Sequence, residues 1–240
     1  MSIYEIKSMG ERLEGNAYAG RGIVLGKTED GKRAAVAYFI MGRSENSRNR
    51  VFTMKDGALF TEPFDVSKVE DPSLIIYAAL RLHENKLIVT NGDQTDTVYA
   101  FIKEGKSFSE ALATREFEPD APNLTPRISG MITFGEGDFT YEMSILKSID
   151  EEGSACARYT YAYPAKAGLG HFIHTYVKDG NPLPTFQGEP ERVSVPNDME
   201  AFAKDIWEKL NEENKISLYV RYTSLEDGSY EDICYNKNQA

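Results

Sequence analysis

The sequence has few of the residues on which metal and redox sites depend. Its 240 residues include two cysteines, three histidines and one tryptophan. Cys156 and Cys234 belong to no Cys-x-x-Cys pair, so we expect two reduced thiols. His171 and His174 lie three residues apart, and on a strand their side chains would point to opposite faces. We therefore expect no metal site, and phosphate-loop, dinucleotide and nucleophile-elbow motifs are also absent from the sequence.

Positive charge is scarce as well. Lysine and arginine number 27 against 38 acidic residues, which gives a net charge of −11. This balance argues against nucleic acid or an anionic membrane surface as the main partner. No apolar run is long enough to span a bilayer, and residues 1–17 lack the apolar core of a secretory signal. We expect a cytoplasmic protein with a short extension, 1–17, and a single domain, 18–240.

Strand patterns occur in pairs, and helix patterns are grouped between them. Residues 73–91 could form a helix, but the turn signal Glu84-Asn85-Lys86 favours two strands. Without strand–helix–strand alternation, the sequence predicts an α+β fold in which helices cover antiparallel sheets. The predicted strands are 21–41 and 51–61 as hairpins, 75–83, 86–90, 127–135, 139–147, 155–163, 171–177, 216–223 and 230–236. The predicted helices are 94–103, 108–115 and one that begins after Asp198.

An arginine-rich loop follows the first hairpin and is the strongest positive signal. Three arginines, Arg43, Arg48 and Arg50, lie within eight residues of an acidic chain and alternate with Ser44, Asn49 and similar residues. The guanidinium group presents a rigid fork of donors that suits phosphate or carboxylate. A solvated surface loop is the alternative, and we favour an anion-binding loop.

Three further segments carry residues suited to chemistry. The segment 89–97 runs from a strand into a helix start, where anions bind well, although Asp93 or Thr95 could simply cap the helix. Glu118 lies in a proline-rich loop and could act as a general base, or the loop could be an ordinary acidic loop. Tyr77 lies in an apolar run, where a buried, hydrogen-bonded hydroxyl is the default and proton donation the alternative.

Taken together, these segments resemble the archaeal-type IMP cyclohydrolase family. The matching pieces are YAGRGIVLGKT, SRNR, DPSLIIYAALR, VTNGDQTDT and FEPDAPNLTPRI, in the order of the family. The resemblance implies a four-layer αββα fold of the N-terminal-nucleophile-hydrolase type. It also implies closure of 5-formamidoimidazole-4-carboxamide ribonucleotide to IMP with loss of water, without metal or organic cofactor. It further implies a homo-oligomer that acts on this purine nucleotide precursor.

The same resemblance implies roles for individual residues. Arg50, Tyr77 and Glu118 are expected to act on the reacting groups, with Arg50 meeting substrate charge and the other two handling protons. The residues expected to bind substrate are Arg43, Ser44, Asn49, Asn91, Asp93, Asn123 and Arg127. Which guanidinium holds the phosphate stays open. Because nucleophile and electrophile belong to one molecule, such a site mainly has to align them.

Two alternatives remain open from the sequence. A nucleotide-binding protein could keep the pocket without the chemistry, and it would bind IMP without turnover. An amide hydrolase of the same fold would need a free amino-terminal Cys, Ser or Thr after processing, which Tyr18 is not. Mass spectrometry of the mature chain tests the second alternative.

Overall fold

The computed structural model describes residues 2, 4–69 and 76–238 and shows an α+β protein with two antiparallel sheets. The helices are α1 Met9–Leu13, α2 Glu45–Arg48, α3 Gln94–Lys103, α4 Phe108–Ala113 and α5 Met199–Lys209, with a 3-10 turn at Val66–Lys68. The strands are β1 Arg21–Lys27, β2 Arg33–Met41, β3 Arg50–Lys55, β4 Ala58–Pro63, β5 Tyr77–His83, β6 Lys86–Thr90, β7 Arg127–Phe134, β8 Phe139–Ser148, β9 Cys156–Pro164, β10 Leu169–His174, β11 Glu191–Ser194, β12 Lys215–Ser224 and β13 Tyr230–Asn236.

The two sheets differ in topology. The seven-stranded sheet is a meander in chain order from β3 to β9. The six-stranded sheet has the order β11-β10-β1-β2-β12-β13, so it joins strands from both ends of the chain. Each paired strand is antiparallel to its neighbour, as the hairpin patterns predict. Within the described residues, no helix has the length and apolar character needed to cross a membrane.

Three clusters of buried side chains hold the elements together. One cluster contains residues of both sheets, such as Ile23 and Tyr38 with Leu80 and Ile132. A second lies between the six-stranded sheet and helices α1 and α5, and a third lies between the seven-stranded sheet and helices α3 and α4. Strand β2 contributes alternate residues to the first two clusters. Burial on both faces explains why its sequence is a continuous apolar run.

Most predicted elements are confirmed, with boundary shifts of a few residues. The segment 77–90 forms two strands, and the predicted start at 75 lies outside the described residues. Strand β11 was not predicted, and the arginine loop contains the short helix α2. The predicted extension contains α1, which packs against α5 and places Met9 and Leu13 in the core.

Helix α4 begins with a capping box that the sequence predicts. Ser107 Oγ accepts from the Glu110 amide at 3.2 Å, and the Glu110 carboxylate accepts from the Ser107 amide at 2.8 Å. Replacing Ser107 with alanine is expected to lower the free energy of unfolding by about 1 kcal/mol, since an amide donor loses its acceptor. Urea denaturation measures the loss. Ser109→Ala, at an exposed position inside the same helix, is the control and should cost nothing. Equal losses in the two variants would contradict the cap.

Candidate active site

Four strands begin at one end of the sandwich, and each begins with a polar residue of the candidate site. Arg21, Arg50, Tyr77 and Arg127 are the first residues of β1, β3, β5 and β7. Glu118 reaches the same place from the loop between α4 and β7, and its amide donates to Thr125 O at 2.9 Å. The structure therefore brings together the three residues predicted to act on the reacting groups, and adds Arg21.

Arg50 is buried and Arg21 is largely buried, and both have hydrogen-bond donors to spare. Arg50 is 3% exposed, and among the described residues its side chain makes one hydrogen bond, from Nε to Ser47 O at 2.7 Å. The Nε of Arg21 is also buried, and no described residue accepts a hydrogen bond from it. Burial lowers the pKa of Arg50, and the nearby charge of Arg21 lowers it further. Buried donors and adjacent like charges mark a place suited to an anionic or strongly polar ligand.

Glu118 is the buried acid of this cluster. Only 4% of its surface is exposed, and its Oε2 lies 4.0 Å from Arg21 Nη2. Burial raises the pKa of Glu118, and the positive charges of Arg21 and Arg127 offset only part of that rise. A carboxyl group with a raised pKa is a stronger proton acceptor once it is ionised.

Tyr77 pairs with a second buried tyrosine. The hydroxyls of Tyr38 and Tyr77 are 2.8 Å apart, and neither residue is exposed by more than 5%. Burial raises the pKa of Tyr38 well above its ordinary value, and the neighbouring Tyr77 adds to the rise. Tyr38 therefore stays protonated and can donate to the Tyr77 oxygen. That arrangement leaves the Tyr77 proton free for a ligand.

Tyr18 and Tyr176 form another wall of the cluster. Their rings stack with centroids 5.9 Å apart, and the Tyr176 hydroxyl lies 2.5 Å from Thr125 Oγ1. Gly20 makes the close approach possible, because it has φ of 78° and a Cβ there would lie 2.1 Å from Thr175 Oγ1. A larger residue at position 20, before Arg21, would therefore clash with Thr175.

Arg127 is held by a network around Asp93. Its Nη1 donates to Asp93 Oδ1 and to Gln94 Oε1, both at 2.7 Å. Asp93 also accepts from Arg115 Nη2 at 2.6 Å. Burial raises the pKa of Asp93, but Arg115 and Arg127 together hold it below its usual range. Asp93 occupies the residue before α3, but its side chain makes no capping hydrogen bond. The prediction that Asp93 caps the helix is therefore wrong, because Arg115 and Arg127 bind its carboxylate instead.

Asn91 supports the same network from within the protein. Its Oδ1 accepts from Gln94 Nε2 and from the Ile128 amide, both at 2.9 Å. Its Nδ2 donates to Pro126 O at 2.9 Å. With its acceptor and one donor engaged internally, Asn91 fixes Gln94 and hence the Arg127 guanidinium.

The remaining predicted binding residues lie around the arginine loop and the segment 178–190. Arg43 Nη1 donates to Asp179 Oδ1 at 2.6 Å, and its guanidinium lies 5.1 Å from the centre of the Tyr18 ring. Asn123 Oδ1 accepts from the Leu183 amide at 3.2 Å. Arg43 and Asn123 therefore tie the 178–190 segment to the cluster.

Two predicted binding residues have local structural contacts. Ser44 caps α2 by accepting from the Ser47 amide at 3.1 Å. Asn49 exchanges two hydrogen bonds with the Asp65 backbone, at 2.7 and 2.8 Å. Both contacts fix the path of the loop that delivers Arg50 to the start of β3.

Sequence reasoning missed Arg21, Tyr38 and Tyr176 as members of the cluster. Arg21 carries a usable signal, since it is a charged residue between two glycines immediately before an apolar strand. Tyr38 carries none, because it looks like an ordinary aromatic residue of a strand. Tyr176 carries a weak one, since the segment HTY at 174–176 loosely resembles the family. Their place in the site depends on side-chain packing between distant parts of the chain.

His171 and His174 are held by contacts inside the protein. His171 Nδ1 is 2.6 Å from the Tyr141 hydroxyl, and its ring stacks on Tyr163. His174 Nδ1 is 2.7 Å from Tyr176 O. In residues 2, 4–69 and 76–238, no group of three or more His, Cys, Asp or Glu side chains is arranged to hold a metal ion.

Parts of this sequence are similar to known proteins. A family model described as IMP cyclohydrolase-like protein matches residues 18–228. An IMP cyclohydrolase of Methanopyrus kandleri is 37% identical over 123 residues, which is 50% of this chain and 60% of the relative. An IMP cyclohydrolase of Methanococcus aeolicus is 29% identical over 163 residues, which is 66% of this chain and 74% of the relative. An IMP cyclohydrolase of Methanococcus maripaludis is 35% identical over 129 residues, which is 52% of this chain and 62% of the relative.

Proposed function

This chain belongs to the family of IMP cyclohydrolase-like proteins, and we propose that it closes 5-formamidoimidazole-4-carboxamide ribonucleotide to IMP. Its alignment with the Methanopyrus kandleri enzyme covers 60% of that relative. The observation that carries the assignment is the buried cluster of Arg21, Arg50, Tyr77 and Glu118, with unpaired guanidinium donors beside a proton-handling pair.

Ring closure needs little beyond alignment, charge stabilisation and proton transfer. The carboxamide nitrogen attacks the formyl carbon, and a C–N bond forms. The carboxamide nitrogen and the formamido nitrogen each lose one proton, the formyl oxygen gains two, and its C–O bond breaks as it leaves as water. Negative charge develops on the formyl oxygen during attack. We assign the free donors of Arg50 and Arg21 to that oxygen, because desolvated, preorganised donors stabilise such charge strongly.

Glu118 and Tyr77 share the proton transfers in this scheme. The Glu118 carboxylate accepts a proton from the carboxamide nitrogen, and the Tyr77 hydroxyl donates towards the formyl oxygen. Tyr38 supports the second role, because its hydroxyl can donate to Tyr77 at 2.8 Å. The raised pKa of Glu118 matches an acid that returns its proton to the departing water.

The binding roles of the flanking residues follow from their positions. The more exposed Arg43, with Ser44 and Asn49, is placed on the arginine loop at the edge of the cluster, on the side we assign to phosphate. Arg127, fixed by Asp93 and Asn91, is assigned to the base or ribose together with Asn123. Phosphate binding at Arg43 requires that the Asp179 carboxylate give way, because the two side chains are in contact.

The finer fold and assembly assignments belong to the same proposal. Core clusters on both outer faces and between the sheets support a four-layer αββα sandwich of the N-terminal-nucleophile-hydrolase type. We assign residues 18–240 to one catalytic domain and 1–17 to an extension that packs through α1. We also propose that the protein is a homo-oligomer and acts in the cytoplasm. Cys156 and Cys234 are free thiols, which is compatible with a reducing compartment.

A turnover assay tests the function directly. Purified protein is mixed with the formamido nucleotide, and IMP is quantified by chromatography against a buffer blank, with circular dichroism to verify folding. IMP formation above the blank is the expected result. Stabilisation by IMP in a thermal shift without turnover would instead identify a nucleotide-binding protein. A folded protein that neither forms nor binds IMP would overturn both assignments.

A further inference from the structure

A cavity opens at the end of the sandwich opposite to the candidate active site. It has a volume of about 430 Å³ and lies where β5 and β7 end and β6 begins, against the end of β12. Strand β7 sets the separation, because it starts at Arg127 in the candidate active site and ends at Phe134 in this cavity wall. Its volume falls within the range that small-molecule sites occupy.

The wall of this cavity contains an unpaired buried arginine. Arg221 is 2% exposed, and its Nε is buried without a hydrogen-bond partner in the described chain. Its guanidinium stacks on Tyr230, with Cζ 3.3 Å from the ring centre, and it makes no ion pair with any described residue. A buried cation normally has a carboxylate or several acceptors, since desolvation without them is costly.

Neighbouring cations show the contrast. Arg81 and Lys55 line an adjacent cavity that Arg221 also borders. Arg81 lies 3.2 Å from Asp96, and Lys55 contacts Glu62. Both therefore have carboxylate partners, whereas Arg221 keeps its donors available.

The carboxylate nearest to Arg221 in strand register is engaged elsewhere. Asp232 lies opposite Arg221 in the pairing of β12 with β13. Its Oδ2 instead accepts from the Tyr219 hydroxyl at 2.9 Å. Asp232 therefore lies opposite Arg221 without forming an ion pair with it in the described part of the chain.

The remaining surfaces of the cavity restrict what could bind Arg221. Leu87, Phe134 and Leu225 supply apolar walls. Glu84 and Glu136 lie at its solvent side and are exposed, and Glu226 is exposed there too. These negative charges repel doubly charged anions such as phosphate monoesters, but a single carboxylate can pair with the guanidinium.

We propose that this cavity binds a small organic monocarboxylate, with its carboxylate on Arg221 and its apolar body between Leu87, Phe134 and Leu225. Such a ligand satisfies the unpaired guanidinium in the bidentate geometry that arginine favours. Tyr230 covers the other face of the guanidinium and holds it in place. The site is separate from the nucleotide cluster and does not depend on the assigned reaction.

Isothermal titration with matched probes tests this site. The probes are 4-phenylbutyrate, the neutral 4-phenylbutanol and phenyl phosphate, titrated into the full chain. We expect the carboxylate to bind at least roughly tenfold more tightly than either other probe, as a charge-assisted bidentate pair implies. Arg221→Gln should lose at least that factor for the carboxylate. Arg50→Ala should retain the binding, which separates this cavity from the guanidinium groups of the other cluster.

A second substitution tests the site even if the Arg221→Gln protein does not fold. Glu226→Gln removes one exposed negative charge and should tighten carboxylate binding about twofold at low salt. Arg158→Gln, on exposed strand β9, is the control and should change nothing. Absence of carboxylate binding, equal binding of the alcohol, preference for the phosphate, or undiminished binding by a folded Arg221→Gln protein would each overturn the assignment.

Discussion

Replacing Arg50 with alanine is expected to lower kcat/KM for IMP formation about 100-fold, or ~2.7 kcal/mol of barrier. The Arg50 side chain is buried, and among the described residues only Nε is committed, to Ser47 O. Its other donors are therefore available for charge that develops on the formyl oxygen. Stability should be kept, because the substitution also removes a like charge beside Arg21. Steady-state kinetics and thermal unfolding measure the two effects.

The matched control is Arg158→Ala, which removes the same charge from an exposed position on β9. It should leave kcat/KM within about twofold of the unchanged protein, as expected for a surface position. Arg50→Lys should recover only part of the lost rate, because an ammonium group restores charge without the planar fork. Normal kcat/KM in a folded Arg50→Ala protein would remove Arg50 from the reaction.

Local sequence patterns predict most of the secondary structure because hairpins and capped helices depend on neighbouring residues. The turn at Asp30-Gly31 between two apolar runs predicts β1 and β2, and Ser107 with Glu110 predicts α4. Strand β11 has only four residues, Glu191–Ser194, with two charged side chains. It is a strand because β10 offers an edge to pair with, and no local pattern contains that information.

Family motifs mark most of the candidate site, and Arg21 also lies in one of them, YAGRGIVLGKT, although it was not singled out. Arg50, Tyr77 and Glu118 lie in such motifs, and the fold brings them to one end of the sandwich. Arg21 joins them because β1 of one sheet begins beside β3 and β5 of the other. That adjacency comes from packing of the two sheets through their shared core, a long-range property that strand periodicity does not encode.

The structure also changes what the predicted binding residues can do. Arg127 and Arg43 are both arginines of the predicted pocket, yet carboxylates of Asp93 and Asp179 already hold them. A guanidinium that already pairs with a carboxylate can still position a ligand. It stabilises negative charge on that ligand less than a guanidinium whose donors are free. On this ground we assign Arg21 and Arg50, rather than Arg43 and Arg127, to the charge that develops in the proposed reaction.

Glu118→Gln is expected to lower kcat about 100-fold at pH 7, because glutamine cannot accept the carboxamide proton. Burial raises the pKa of Glu118, so the rate of the unchanged protein should rise with pH as the carboxyl group ionises. The residual rate of the variant should be independent of pH over the same interval. Glu116→Gln, two residues earlier and exposed, is the control and should retain both the rate and its pH profile.

Thermal unfolding of the same variants separates this role from a structural one. Because the folded-state pKa of Glu118 lies above that of the unfolded chain, about 4.3, the folded protein binds the proton more tightly. The stabilisation that this proton gives is complete below pH 4.3 and is lost as pH rises through the folded-state pKa. Glu118→Gln lacks that loss, so its Tm should gain on the unchanged protein as pH rises. A variant that is less stable at pH 7 than at pH 4.5, relative to the unchanged protein, would show that the ion pair with Arg21 outweighs burial. Glu118 would then be held as a fixed anion instead of a proton acceptor.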